Sequence, residues 1–405
     1  MIFAYLKRSK AYFEKERRSY DMDFTFSEEQ LMFRDMVRKF AEQEIIPTLK
    51  DIEREGKFNR GIINKLAPLG LLGPHIPQGY GGLGVDYVTY AIIAEQLAWG
   101  SWSQALTACG PPSFGGTIIL TSGSEDQKKK YLPLICRGEK LLGTAHVEPN
   151  AGSDAAAIET TATIDGSHWI INGSKVFITN GAVADILVVV AQTDKNKGVR
   201  GISNFIVEKG TPGLSQLEIP GMVGDRAGCQ GQIRFTDVRV PKENLIGKEG
   251  EGLKNALTGI DTARLFIAGA CVGLAQSCVD SCIKYAKERR QFGRPIGSFQ
   301  LVQEKIAQMA AETEAIRWLV YYTADLKRRG LPHRKEMAMA KWLASELGLR
   351  VSAEAVKVFG AWGCIDDYPV EHHYRDAILP VVSAGTNEMQ KLIIGRELLG
   401  IDAII

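Results

Sequence analysis

The sequence predicts an α+β fold in three parts: an N-terminal all-helical domain, a central antiparallel β-barrel domain and a C-terminal four-helix bundle. Apolar residues recur at helical spacing in the first third of the chain and again in the last 160 residues or so. Between these regions lie short β-like runs with no helix to separate them, which favours antiparallel pairing. We expect a basic extension over 1–22, the helical domain over 23–140, the β domain over 141–245 and the bundle over 246–405.

The first helical domain contains two capping boxes. Residues 27–30 (SEEQ) precede apolar residues at helical spacing, and residues 124–127 (SEDQ) begin a later helix. Pro47 is expected to close the first helical run. The basic segment before this domain lacks the apolar centre of a secretory signal, and Glu14 and Glu16 oppose a transit peptide. The cytoplasm is therefore the expected location.

The β domain begins with a hairpin signal. Residues 160–164 and 169–171 are β-like runs joined through Asp165-Gly166, a dipeptide that supplies the positive φ angles of a tight turn. Further strands are expected over 175–180, 185–192, 202–207 and 232–240.

The last region predicts long helices. An apolar stripe from Val302 to Val320 marks one face of a helix that stops near Gly330. The preceding helix carries small residues over 268–275, which allow another helix to approach closely. Long helices with short joins are typical of a bundle.

Composition and motifs exclude several classes of protein. The 405 residues are 45% hydrophobic and 24% charged with a net charge of +2, a globular balance that does not indicate nucleic acid. No apolar run approaches the ~20 residues of a membrane helix. The seven cysteines lack CxxC spacing, and no HExxH occurs, so neither a disulfide framework nor a metal site is expected. His372-His373 is expected as a partly exposed pair beside Arg375. No Walker A or GxSxG motif is present, and the GxGxxG match at 79–84 follows a proline-rich loop instead of a strand.

Motifs along most of the chain resemble one family. Residues 148–154 (EPNAGSD) and 172–181 (NGSKVFITNG) are similar to the flavin-binding signature of the acyl-CoA dehydrogenases. The similarity continues through 235–241, 288–293 (ERRQFG), 368–371, 375–376 and 385–390 (GTNEMQ), and so covers about residues 24–400. The resemblance implies the three-part fold, FAD as cofactor, an acyl-CoA substrate, a homotetramer, and an electron-transferring flavoprotein as redox partner.

The resemblance also assigns site residues. His146, Val147, Phe177 and Thr179 would line the flavin ring, with Thr179 near N5 and Phe177 against the ring system. The resemblance gives further FAD contacts to Ser153, Arg289, Gln291, Phe292, Lys357, Gly360, Thr386 and Glu388, and the coenzyme A contacts to Ser153, Asp261 and Arg264.

Two residues at the flavin depart from the family pattern. Val147 stands where a threonine hydroxyl is usual, and His146 stands at a usually apolar position. One interpretation of His146 is a structural histidine with satisfied hydrogen bonds. The other is an acid or electrostatic anchor that faces the flavin or the acyl group.

The third departure concerns the general base. Removal of the weakly acidic Cα proton of a thioester needs a positioned carboxylate. The family carries this Glu in Tyr-Glu-Gly-Thr, where this chain has Ser383-Ala384-Gly385-Thr386, or one residue before the bundle arginine, where it has Ala263. Residues 101–116, the expected acyl-pocket stretch, contain no Asp or Glu.

These departures predict an FAD-dependent oxidoreductase of atypical specificity. It would act, as a dehydrogenase or an enoyl-CoA reductase, on a cyclic, conjugated or β-carboxylated acyl-CoA. Two alternatives stay open: an ordinary α,β-dehydrogenase with a displaced base, and a flavin oxygenase or non-dehydrogenase flavoprotein. Asp261 and Arg264 favour retained coenzyme A binding and so oppose the last alternative.

Overall fold

The helical N-terminal part opens the computed structural model, which describes residues 25–403; the basic extension 1–22 lies outside the described residues. Both capping boxes form, with the Ser27 and Ser124 hydroxyls accepting from the third backbone N–H of their helices. The helices are α1 Glu28–Phe40, α2 Ile46–Glu55, α3 Arg60–Leu66, α4 Tyr87–Gly100, α5 Trp102–Pro111, α6 Thr117–Ser122 and α7 Glu125–Cys136.

The expected stop at Pro47 is wrong. After α1 the chain continues through one π-helical turn, Ala41–Ile45, directly into α2. Pro47 lies in the first turn of α2. Proline is tolerated in a first turn because its fixed φ matches helical geometry.

The central domain is a single mixed sheet. Its order is β6-β7-β3-β2-β4-β5-β8, with β1 beside β4. The predicted hairpin is confirmed, with Ile164 opposite Trp169 and Gly166 at φ 57° in the turn. The strands are β1 Leu142–Ala145, β2 Thr161–Asp165, β3 His168–Ile178, β4 Ile186–Gln192, β5 Ile202–Glu208, β6 Leu214–Glu218, β7 Gly231–Pro241 and β8 Leu245–Ile246.

The prediction of a purely antiparallel, closed barrel is wrong. Strands β1 and β4 are parallel, β2 meets β4 in parallel at one pair, and the sheet stays open. The parallel pair arises because the two strands start together: the Asp185 carboxylate accepts the Leu141 N–H at 2.9 Å, and the Asp185 and Ile186 N–H groups donate to the Leu141 carbonyl. Every residue of β4 is buried, since the sheet's own core covers one face and helices α6 and α7 cover the other.

The C-terminal domain is helical. Helix α8 packs against α4 and α10, and a Cβ on Gly273 would lie 2.0 Å from the Glu95 carbonyl of α4, so only glycine allows this approach. The elements are α8 Gly252–Glu288, β9 Arg290–Gln291, β10 Arg294–Pro295, α9 Gln300–Arg328, α10 Arg334–Phe359, α11 Val370–Asp376, α12 Leu379–Val382 and α13 Asn387–Leu399.

The burial of side chains bears on two expectations, the exposure of the histidine pair and the lack of a helix long and apolar enough to span a membrane. His372 and His373 are 4% and 1% exposed, so the expected partly exposed pair is wrong. They lie on the inner face of α11, where the His373 Nε2 contacts the Ser277 hydroxyl of α8 at 2.9 Å. Helix α8 is long and apolar enough to cross a membrane by length and composition, but most of its apolar stretch is buried inside the protein, as in a core helix.

Candidate active site

A buried ion pair fixes the segment that leaves β1. Lys175 Nζ lies 2.7 Å from a Glu148 carboxylate oxygen and also donates to the His146 carbonyl at 2.9 Å. Glu148 accepts the Glu159 and Thr160 N–H groups as well. Burial lowers the pKa of Lys175 to about 8, against the attraction of Glu148. Burial opposes ionisation of Glu148 too, but Lys175 and the backbone donors lower its pKa overall. The pair therefore holds residues 146–148 against β3.

The residues assigned to the flavin ring lie together at this edge of the sheet. The Val176 N–H donates to the Val147 carbonyl at 3.0 Å, which places His146 and Val147 beside the end of β3. Phe177, at φ 55°, turns its side chain outward and is 60% exposed. Thr179 accepts a hydrogen bond from Gln230 at 3.1 Å.

This edge fits a flat aromatic group with polar edges. The His146 Nε2 and the Thr144 hydroxyl are buried and have no hydrogen-bond partner among the described residues. The His146 ring lies 6.2 Å from the Phe114 ring, and burial lowers its pKa to about 4. Exposed Phe177 offers an apolar surface at the end of β3, the strand beside which His146 and Val147 lie. An isoalloxazine ring needs that combination.

Two cations hold the segment at the general-base position. The Arg264 Nε donates to the Ala384 carbonyl at 3.0 Å, and the Lys341 Nζ donates to the Gly385 carbonyl at 2.9 Å. Ala384 has φ 51°, a left-handed conformation that alanine rarely adopts. Burial lowers the pKa of Lys341 to about 8. Ala263, the other family base position, is buried on α8, one residue before Arg264.

Asp261 lies one helical turn before Arg264 and is already paired. Its carboxylate accepts from Lys327 and lies 3.1 Å from the His333 Nε2. Burial alone would raise its pKa, but His333 and Lys327 lower it to about 2. Asp261 is therefore a firm anion and a weak base.

The other assigned FAD residues lie at helix ends. Phe292 is 91% exposed on the β9–β10 hairpin, and the Tyr285 ring stacks on Phe359 at 4.0 Å, which brings the ends of α8 and α10 together. Arg289 and Gln291 are exposed beside Phe292. At the end of α10, Lys357 pairs with Glu354 and Gly360 follows the last residue of the helix. Thr386 caps α13, Glu388 is exposed in the first turn of α13, and Ser153 is exposed in a turn.

Sequence reasoning missed the contacts that orient these residues. It placed Lys175 in a strand and in the flavin-binding signature without a partner, and it did not single out Lys341, Asp225 or Gln230. A lysine among the small apolar residues of α10 was the one available signal for Lys341, because such a position on a helix faces the core.

Comparison with known proteins identifies the family. The N-terminal, middle and C-terminal domain models of acyl-CoA dehydrogenase match residues 27–139, 143–238 and 250–399. The chain belongs to the acyl-CoA dehydrogenase family. A subunit of the caffeyl-CoA reductase–Etf complex of Acetobacterium woodii is 40% identical over 375 residues, 92% of this chain and 99% of the relative.

Solved structures agree with this assignment. Butyryl-CoA dehydrogenase from Megasphaera elsdenii superposes with a TM-score of 0.90 at 38% identity, over 93% of this chain and 100% of that one. A glutaryl-CoA dehydrogenase from Mycobacterium smegmatis in complex with FADH2 has a TM-score of 0.90 at 28% identity, over 95% and 98% of the two chains. This acyl-CoA dehydrogenase family protein is an FAD-dependent oxidoreductase that acts on CH–CH groups of coenzyme A thioesters.

Proposed function

We propose that this acyl-CoA dehydrogenase family member acts on a cyclic, conjugated or β-carboxylated acyl-CoA, by a route in which no carboxylate at position 384 or 263 takes the Cα proton. The observation that carries the proposal is Ala384 itself. Arg264 and Lys341 hold its segment in place, yet the side chain they present is a methyl group.

Neither Asp261 nor the acyl-pocket stretch supplies a substitute base. Asp261 is held by Lys327 and His333, and its pKa of about 2 makes it a poor proton acceptor at neutral pH. The acyl-pocket stretch 101–116 has no Asp or Glu. Ordinary dehydrogenation of a saturated thioester is therefore slow in this protein.

The reductive direction avoids the need for that base. FAD bound at this site would supply hydride exchange with the β-carbon of the thioester. In the reductive direction Cα gains a proton, so no residue has to remove one. The reductive direction has support from the Acetobacterium relative, whose name describes a reductase complex.

The residues of the protein itself then bind and orient the flavin and the thioester. Arg264 fixes the 384–386 segment against α8. We assign Thr179 and the His146 Nε2, which has no hydrogen-bond partner among the described residues, to the flavin ring and the acyl group. Because burial keeps His146 neutral at pH 7, it serves as a hydrogen-bonding anchor, and solvent supplies the proton in the reductive direction.

An anaerobic flavin assay in both directions tests the proposal. The oxidised protein is mixed with butyryl-, octanoyl-, glutaryl-, cyclohexanecarboxyl- and cyclohexenecarboxyl-CoA, and the dithionite-reduced protein with the corresponding enoyl-CoAs. We expect no rapid bleaching by butyryl- or octanoyl-CoA, and turnover with cyclic, carboxylated or conjugated members. Rapid bleaching by the straight-chain thioesters would reveal a displaced base and overturn the proposal. Reoxidation that requires dioxygen would point to an oxygenase.

We further propose a cytoplasmic homotetramer that exchanges electrons with an electron-transferring flavoprotein. The exposed Arg289–Phe292 hairpin supports assembly, since it can reach a neighbouring subunit's cofactor, and the Acetobacterium relative belongs to a complex with such a flavoprotein. The free, mostly buried cysteines suit a reducing compartment. Light scattering of the holoprotein measures the assembly, and anaerobic reoxidation by a purified electron-transferring flavoprotein tests the partner.

A further inference from the structure

A chain of buried hydrogen bonds runs from Asp225 to Thr179. The Gln230 Nε2 donates to an Asp225 carboxylate oxygen at 2.6 Å and to the Thr179 hydroxyl oxygen at 3.1 Å. Asp225 and Gln230 are both buried. The other Asp225 oxygen accepts from the Ser103 hydroxyl at 3.1 Å. Of these three hydrogen-bonded residues, Asp225, Gln230 and Thr179, only Thr179 is assigned to the flavin edge.

The protonation state of Asp225 sets the direction of the hydrogen bonds. When Asp225 is ionised its carboxylate only accepts, so the side of the Gln230 amide that faces it is then the NH2 group. That NH2 group has two protons, and the second is donated to Thr179. Because the Thr179 oxygen accepts from Gln230, its own proton is not donated to Gln230 and is available to another acceptor.

The backbone at Asp225 is built to hold this arrangement. Asp225 has φ 56°, and its N–H donates to an Asp376 carboxylate oxygen of α11 at 2.7 Å. A Cβ on Gly228 would lie 2.5 Å from the Asp225 carboxylate, so the loop closes tightly over that group.

We propose that Asp225 is a positioning residue for FAD: through Gln230 it fixes the Thr179 hydroxyl as a hydrogen-bond donor to the flavin ring. The inference rests on the placement of Thr179 beside the flavin and is independent of the substrate proposed above. Burial raises the pKa of Asp225 to about 7, against the hydrogen bonds from Gln230 and Ser103. The charged or titratable groups around it are Asp376 and Arg375 on α11, Glu53 on α2, and Arg226 and Cys229 on its own segment.

A double-mutant cycle on the holoprotein tests the chain, with the FAD dissociation constant and the visible absorption band of bound flavin as readouts. Asp225→Asn keeps the size of the side chain but can pair with either orientation of the Gln230 amide. The Thr179 hydroxyl is then no longer fixed as a donor to the flavin ring. We expect about tenfold weaker FAD binding for Asp225→Asn, about tenfold for Thr179→Val, and still about tenfold for the double variant, since both changes remove one interaction.

Asp237→Asn is the matched control. Asp237 also has positive φ, 49°, and also bonds to an amide side chain, that of Asn172, but on the exposed far part of β7. FAD affinity within twofold of wild type is expected for this variant. If Asp225→Asn behaves like the control, or if the double variant loses more than thirtyfold, Asp225 does not act through Thr179 and the proposal fails.

Two further results separate the possible failures. A Thr179→Val variant with normal FAD affinity and an unchanged flavin band would show that Thr179 does not contact the flavin, which overturns the inference at its base. Should Asp225→Asn fail to fold, Gln230→Met takes its place in the cycle, with the same expected non-additivity. None of these measurements uses an acyl-CoA, so they stay separate from any failure of the substrate proposal.

Discussion

The Arg264 Nε donates to the Ala384 carbonyl over 3.0 Å, and this bond joins the longest helix of the protein to its C-terminal segment. The bond is to the backbone and therefore does not depend on which side chain occupies position 384. The segment keeps a defined position although the residue at its tip carries only a methyl group. Position 384 is thus open to a direct experimental replacement.

Ala384→Glu should create straight-chain dehydrogenase activity. The backbone there already adopts a positive φ with a β-carbon, so glutamate adds little new strain. We expect at least tenfold faster anaerobic bleaching by butyryl-CoA than in the wild type. Ala384→Gln has the same size without the base and should show no gain. Equal rates for the two variants would mean that a missing carboxylate at this position does not by itself direct the reaction.

Arg264→Met should loosen the 383–387 segment. A hydrogen bond from a buried charged donor contributes about 1.5–3 kcal/mol, so amide exchange in this segment should accelerate more than tenfold. Hydrogen–deuterium exchange read by mass spectrometry measures this without any substrate. Arg334→Met, which removes an exposed ion pair with Glu397, is the control. Unchanged protection of the segment in Arg264→Met would show that the bonds from Lys341 and Gln390 to the Gly385 carbonyl are sufficient to hold it.

Lys175→Met should destabilise the protein strongly. It leaves the Glu148 carboxylate buried without its cation, a loss of about 3–5 kcal/mol in the free energy of unfolding. Chemical denaturation at saturating FAD measures the loss. The double variant Lys175→Met, Glu148→Gln should recover part of it, because glutamine carries no charge and its one amide oxygen still accepts from one of the two backbone N–H groups at 159–160. A single variant within 1 kcal/mol of wild type would contradict the buried-pair interpretation.

Acid should destabilise the protein through His372. Burial, with a smaller contribution from Arg375, lowers its pKa to about 3 in the folded state. The unfolded chain binds a proton below pH ~6.5, so the folded state loses stability as pH falls through that value. His372→Met should therefore reduce the stability difference between pH 7 and pH 5 by about 2 kcal/mol. Tyr374→Met, an exposed neighbour on α11, should leave that difference unchanged; a similar reduction in both variants would exclude His372 as the cause.

Arg289→Ala should weaken FAD binding while leaving the fold intact. Arg289 follows the end of α8 and is exposed beside the hairpin, so its removal costs no packing within the subunit. We expect roughly tenfold weaker FAD affinity, equivalent to ~1.4 kcal/mol, by fluorescence titration of the assembled protein. Arg294→Ala on the opposite strand of the hairpin is the control. Equal losses for both variants would indicate a general electrostatic effect instead of a specific contact.

Local signals in the sequence predicted the fold well. The capping boxes at Ser27 and Ser124 and the turn at Gly166 depend on residues three or fewer positions apart, and all three form. The direction of β1 relative to β4 was not predictable in this way. It depends on the contact between Leu141 and Asp185, which are 44 residues apart, and a period of two in the sequence carries no information on strand direction.

The sequence motifs predicted which residues belong to the candidate site, but not the hydrogen bonds that connect them. The order of motifs located Ala384, Arg264 and Thr179, whereas the hydrogen bonds that orient them were invisible. Gln230 is 51 residues from Thr179, and Arg264 is 120 residues from Ala384. Such partners are brought together only by the packing of the sheet and of α8 against the rest of the chain.

Helix α8 fixes the distance between Arg264 and the β9–β10 hairpin. Arg264 and the hairpin that follows Glu288 are separated along it by 24 residues, or roughly 36 Å of unbroken helix. Arg264 and the exposed hairpin are therefore held at a fixed separation by one continuous helix. Inserting one residue between them would turn the hairpin by about 100° around the helix axis relative to Arg264. The length of this helix thus sets both the distance and the direction of the hairpin relative to Arg264.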